Sequence, residues 1–193
     1  MLFRSQAFGG AALVFLGALV SFLVLAAVDS WLAGRRDSAG ARRAGGAYLA
    51  LLVAIGIGLH NLGEGLAIGS AYAGGALALG AFLVVGFALH NTTEGLAIVA
   101  PMASERPRLG RLVALGLIAG APAVLGAWVG AAAFNSSLVA FLLGVGAGAI
   151  VQVVLAILPS VRDEAGRTLN HVAAAGMLAG IAAMYLTSLL VSV

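Results

Sequence analysis

Two ten-residue stretches of the 193-residue chain are near copies. Leu59-His60-Asn61-Leu62-Gly63-Glu64-Gly65-Leu66-Ala67-Ile68 recurs as Leu89-His90-Asn91-Thr92-Thr93-Glu94-Gly95-Leu96-Ala97-Ile98, identical at eight of ten positions and offset by 30 residues. In a helix, His and Glu at i and i+4 lie one turn apart on one face, with Asn at i+1 on the same side. Each copy therefore offers an imidazole nitrogen, an amide oxygen and a carboxylate. Two such faces turned together supply six potential ligands: His60, Asn61, Glu64, His90, Asn91 and Glu94. Nitrogen and oxygen donors without thiolate suit Zn, Fe, Co, Ni or Mn better than Cu(I). The chain has no cysteine, which excludes disulfides, thiolate metal sites and cysteine nucleophiles.

The surroundings make these residues conspicuous. The chain is 62% hydrophobic and 9% charged, with a mean hydropathy of +1.12. A soluble domain carries about 25% charged residues, so an ordinary cytosolic enzyme, a disordered chain and a nucleic-acid-binding domain are excluded. Of the seven acidic residues, Asp29, Asp37, Glu105, Asp163 and Glu164 fall in or beside polar links; only Glu64 and Glu94 fall inside apolar runs. A charge at a bilayer centre costs about 2.5–3.5 kcal/mol on insertion scales. A divalent cation shared by both carboxylates would offset that cost. A proton relay and a purely structural polar network are the two other readings.

The elements that must position these residues are apolar runs long enough to cross a bilayer, which takes about 20 residues of helix. Six stretches qualify: 7–28, 47–70, 77–100, 112–133, 138–158 and 172–193. The runs are continuous and not alternating, so the expected fold is an all-α polytopic transmembrane bundle forming one domain over residues 1–193. The first run is too long for a signal-peptide core and reads as a retained span. The 30-residue offset equals one span plus a turn, which puts the two motifs on consecutive antiparallel helices, level with each other near mid-membrane. Nine of ten arginines lie in odd-numbered links: Arg35, Arg36, Arg42, Arg43, Arg106, Arg108, Arg111, Arg162 and Arg167. The positive-inside rule puts that face in the cytoplasm and both termini outside a cell membrane. Gly116/Gly120, Gly126/Gly130, Gly144/Gly148 and Gly176/Gly180 each make a face of small residues that lets helices approach closely. Gln152, mid-span, is a candidate supporting ligand; a hydrogen bond to a neighbouring helix is its other reading.

The paired motifs resemble those of the ZIP (Zrt/Irt-like protein) family of divalent-metal transporters, prokaryotic branch. That family has eight transmembrane helices, and its fourth and fifth carry His-Asn-x-Pro-Glu-Gly motifs that build a metal site halfway along the transport path. His60-Asn61-Leu62-Gly63-Glu64-Gly65 is similar to the fourth-helix motif, and His90-Asn91-Thr92-Thr93-Glu94-Gly95 to the fifth. The resemblance implies that His60, Asn61, Glu64, His90, Asn91 and Glu94 are the metal ligands. It runs from the first span, similar to the family's third helix and ending at Asp29, to the C-terminus. Counterparts of the family's first two helices, one of which lines the metal path, are not in the chain; a fragment, a late start and a reduced member are the three expectations. Gly63 and Thr93 stand where the motif prolines would. The span similar to the sixth helix holds no carboxylate, only Pro122.

The function expected is therefore movement of divalent ions, Zn²⁺ first and Fe²⁺, Mn²⁺, Co²⁺ or Cd²⁺ after it, into the cytoplasm without covalent chemistry. No organic cofactor and no nucleic-acid partner are expected. Divalent ions and the lipid bilayer are the partners, and monomer and homodimer are both open. The rivals are an intramembrane metal-dependent hydrolase and a metal-binding scaffold that moves nothing. Hydrolases of that kind often use H-E-x-x-H, whereas Asn follows each motif histidine and no second histidine stands at i+4.

Overall fold

The computed structural model describes residues 2–38, 46–132, 135–162, 166–168 and 170–191. They form six helices: α1 (Leu2–Ser38), α2 (Gly46–Ala73), α3 (Leu77–Val99), α4 (Leu109–Ala132), α5 (Ser136–Ile157) and α6 (His171–Val191), with short 3₁₀ turns at Ala100–Met102 and Leu158–Val161. The described residues contain no strand. Five helical stretches have the length and composition to cross a membrane: Gly10–Trp31, Gly46–Ala73, Leu77–Met102, Leu109–Ala132 and Ser136–Val161. The last of the six expected spans falls in α6, whose apolar stretch His171–Leu186 is shorter than these. The chain is thus an all-α bundle of membrane-protein type.

Helices α2 to α6 begin and end within a turn of the expected spans. Helix α1 does not: it runs on through Arg35 and Arg36 to Ser38. Arginine is a good helix former, so leaving the apolar zone does not end the helix. Arg42, Arg43, Asp163 and Glu164 lie outside the described residues. Helix starts are capped where polar residues allow it. Asn135 accepts hydrogen bonds from the Ser137 and Leu138 amides at the start of α5, and Asn170 accepts one from Ala173 at the start of α6.

Close contact is arranged through glycine. Along the α2–α4 seam, Gly65 and Gly69 lie on the carbonyls of Ala123 and Ala127, while Gly126 and Gly130 lie on those of Leu62 and Leu66. Residue numbers rise together, so α2 and α4 are parallel. The same holds for α1 and α5, where Gly144 meets Val14 and Gly148 meets Ala18, and where the Ser21 hydroxyl donates to the Val145 carbonyl at 2.7 Å. Helix α5 runs antiparallel to α2, Gly56 meeting Val153 and Gly146 meeting His60. Where lipid replaces water, such approaches supply the dispersion contacts that hold helices together. Two of the four expected glycine pairs are used this way, Gly126/Gly130 and Gly144/Gly148; a side chain added at Gly116, Gly120, Gly176 or Gly180 would meet nothing within 4 Å. A hydrophobic core of Ala50, Val53, Ala54, Ile57, Ile98, Met102, Leu115, Ala119 and Val153 joins α2, the end of α3, α4 and α5 below the motifs.

The parallel pairing of α1 with α5 gives a test of topology. Ser38 ends α1 and Ser137 lies in the first turn of α5, so the two belong to opposite ends of a parallel pair. Cysteines placed at Ser38 and Ser137 should label with an impermeant thiol reagent from opposite sides of the membrane. Labelling of both from one side would break the span count.

Candidate metal centre

Helix α2 is the most enclosed helix, with α4 and α5 against it and α3 on the remaining side. Its motif is correspondingly deep: Asn61 and Glu64 are buried, at 3% and 7% exposure. Helix α3 brings the second motif to the same level from an outer position. Both helices run unbroken through Gly63 and Thr93. On α3 the threonines turn inward on their own backbone, Thr92 donating to the Ala88 carbonyl at 3.2 Å and Thr93 to the His90 carbonyl at 2.6 Å.

Glu64 is the hub. Its Oε1 lies 2.6 Å from His90 Nε2 and 3.3 Å from His60 Nε2. His60 in turn lies 3.7 Å from Glu94 Oε1, so each carboxylate meets the histidine of the other helix. The two imidazole rings are tilted by 37° with centroids 6.4 Å apart. Donor atoms of His60, Glu64 and His90 all lie within 4.8 Å of one another, close enough to hold one metal ion. Glu94 borders this group through His60.

The asparagines have separate settings. Asn61 Nδ2 donates to the Ala119 carbonyl of α4 at 3.0 Å, which leaves its Oδ1 buried and without a partner. Asn91 Oδ1, Glu64 Oε2 and Glu94 Oε2 are also buried and unpartnered. Among the described residues five buried side-chain atoms lack a partner; four are motif oxygens and the fifth is Ser70 Oγ. Oxygens of this kind are acceptors. Gln152 is not in the group. It lines a small cavity with Leu25, Asp29, Leu52, Val153 and Ala156, near the Tyr48 hydroxyl that donates to Asp29 Oδ1 at 2.8 Å.

The chain has no match among protein families, curated proteins or solved structures. The chemistry of the site therefore stands on its own geometry. Two contributors were invisible to motif reading. Phe87 packs its ring edge-on to His90, centroids 5.4 Å apart at 71°; its i−3 spacing from His90 was the available signal. The Ala119 carbonyl is backbone and leaves no trace in the sequence.

Proposed function

We propose that the chain moves divalent metal ions across a cell membrane into the cytoplasm, binding them at mid-membrane between α2 and α3, and that it is a relative of the ZIP transporters its motifs resemble. The observation that carries this reading is the His60–Glu64–His90 group of metal-binding dimensions, on two motifs that also hold four buried, unpartnered oxygens. A structural network would satisfy its acceptors, because buried polar groups without partners are costly. A cation satisfies all of them together.

The ion sheds water, takes imidazole nitrogens from His60 and His90 and carboxylate oxygens from Glu64 and Glu94, and takes amide oxygens from Asn61 and Asn91. To bind, it displaces the hydrogen bond between Glu64 and His90. Ligands must be deprotonated, so loading releases protons and affinity falls in acid. The arginine-bearing links face the cytoplasm in this reading, and both termini face outside. Asn follows each motif histidine, so neither helix carries the H-E-x-x-H arrangement of metal-dependent hydrolases.

Mixed imidazole, amide and carboxylate donors favour Zn²⁺ over Mn²⁺ by the Irving–Williams order. In proteoliposomes, the protein should take up Zn²⁺, with Co²⁺ and Cd²⁺ competing. Competition by Mg²⁺ or Ca²⁺ and none by Co²⁺ or Cd²⁺ would overturn the proposed site. Zn²⁺ binding without uptake would favour a metal-binding scaffold.

A further inference from the structure

We infer that the backbone carbonyl of Ala119 is a positioning group for the ion site: it turns the Asn61 amide so that Oδ1, and not Nδ2, meets the ion. This rests on the metal-ion reading proposed above. A carbonyl oxygen only accepts hydrogen bonds. It takes the Nδ2 end of Asn61 at 3.0 Å, so the acceptor end is turned away from it. That Oδ1 is buried and unpartnered, and Asn61 as a whole is 3% exposed, so bulk water does not compensate it.

The carbonyl is brought within reach by the seam. Gly58 and Gly65, about a turn before and after Asn61, lie on the α4 carbonyls of Ile118 and Ala123, and neither position has room for a side chain. The α4 backbone therefore comes close enough for a side chain of Asn length to reach its carbonyl. Position 61 then demands a group with a donor at one end and an acceptor at the other. An amide is such a group. A carboxylate of the same shape would set one acceptor against another.

On charge alone, an added carboxylate should tighten binding of a dication. At position 61 the Ala119 carbonyl opposes it, so the two effects have opposite signs. At Asn91 only the charge effect operates: among the described residues, the Asn91 side chain makes no hydrogen bond to another helix.

The test is Zn²⁺ affinity by isothermal titration calorimetry on the full chain in detergent, with unfolding temperature in chelator measured for each variant. Asn61→Asp should bind Zn²⁺ roughly 10–100-fold more weakly than wild type, the usual cost of disturbing a ligand's outer support. Asn91→Asp should bind as tightly or more tightly. Asn61→Ala, which keeps the fold without presenting a charge, should also lose about tenfold or more. Variants of equal unfolding temperature in chelator should still show the split. Asn61→Asp binding as tightly as wild type overturns the inference, and so does Asn61→Ala binding as tightly. If Asn61→Asp does not fold, Gly58→Ala decides: its Cβ would displace the α4 backbone at Ile118, beside the Ala119 carbonyl, so it should weaken Zn²⁺ binding about tenfold or more, and binding as tight as wild type overturns the inference. A wild type that binds none of Zn²⁺, Co²⁺ and Cd²⁺ overturns the metal-ion reading itself, a different result from a wild type that binds and an Asn61→Asp that matches it.

Discussion

Glu64→Ala should abolish stabilisation of the protein by Zn²⁺. Glu64 Oε1 is the atom both histidines meet, at 2.6 and 3.3 Å, so its loss removes the hub and one of two negative charges. At an ion concentration 100 times the Kd, binding stabilises a folded state by about 2.7 kcal/mol; the variant should lose essentially all of it at the same concentration. Without metal, taking Glu64 away removes the desolvation cost of a buried carboxylate but also the partner of His90 and His60, so the two effects on the metal-free fold oppose each other. Glu94→Ala should act in the same direction with a smaller loss, because Glu94 meets His60 at 3.7 Å, farther than Glu64 lies from either histidine. Thermal unfolding in detergent, first in chelator and then in Zn²⁺, reads both quantities. If the carboxylates instead serve only a structural network, Zn²⁺ stabilises neither the wild type nor the variants, and the unfolding temperatures in chelator and in Zn²⁺ coincide for each.

The second large effect separates two residues the sequence makes equivalent. Gly65 and Gly95 occupy the same place in the two motif copies. A Cβ at Gly65 would collide with the Ala123 carbonyl, which is backbone and has no rotamer to yield, whereas at Gly95 it meets nothing within 4 Å. Gly65→Ala must push α4 from α2, an overpacking that costs about 1–3 kcal/mol. Gly95→Ala gains up to about 1 kcal/mol, the usual penalty of glycine inside a helix. Unfolding temperatures in chelator should therefore move in opposite directions. Equal shifts would mean that the two copies share one environment.

These cases mark where sequence reading stops. The spans were legible because hydropathy integrates over about twenty residues and continuous apolar runs leave little choice of structure. The overrun of α1 past Trp31 was not, because hydropathy reports the apolar zone and not the end of the helix. His60, Glu64 and His90 were legible because helical period and duplication fix their facing. Which glycines lie in a seam was not: Gly116/Gly120 has the same spacing as Gly126/Gly130, and only the partner helix distinguishes them. The role of Asn61 was half legible, its side chain from the motif and its backbone partner on α4 from nothing. Gln152, polar and mid-span like the motif residues, belongs with Asp29 and not with the motifs, because depth alone does not set the direction a side chain faces.

The parallel seam of α2 with α4 also governs how the chain is made. Two parallel helices cannot be neighbours in sequence, so α2 leaves the ribosome well before the partner that encloses it. Until α4 emerges, its glycine face has nothing to close on and Glu64 sits in an unfinished bundle. In that interval Glu64 can meet His60 on its own helix and His90, carried on α3, the very next helix. The duplicated motif thus gives the nascent α2–α3 hairpin its own internal polar match, and lets it enter the bilayer as a unit while the tighter contact with α4 is still being synthesised.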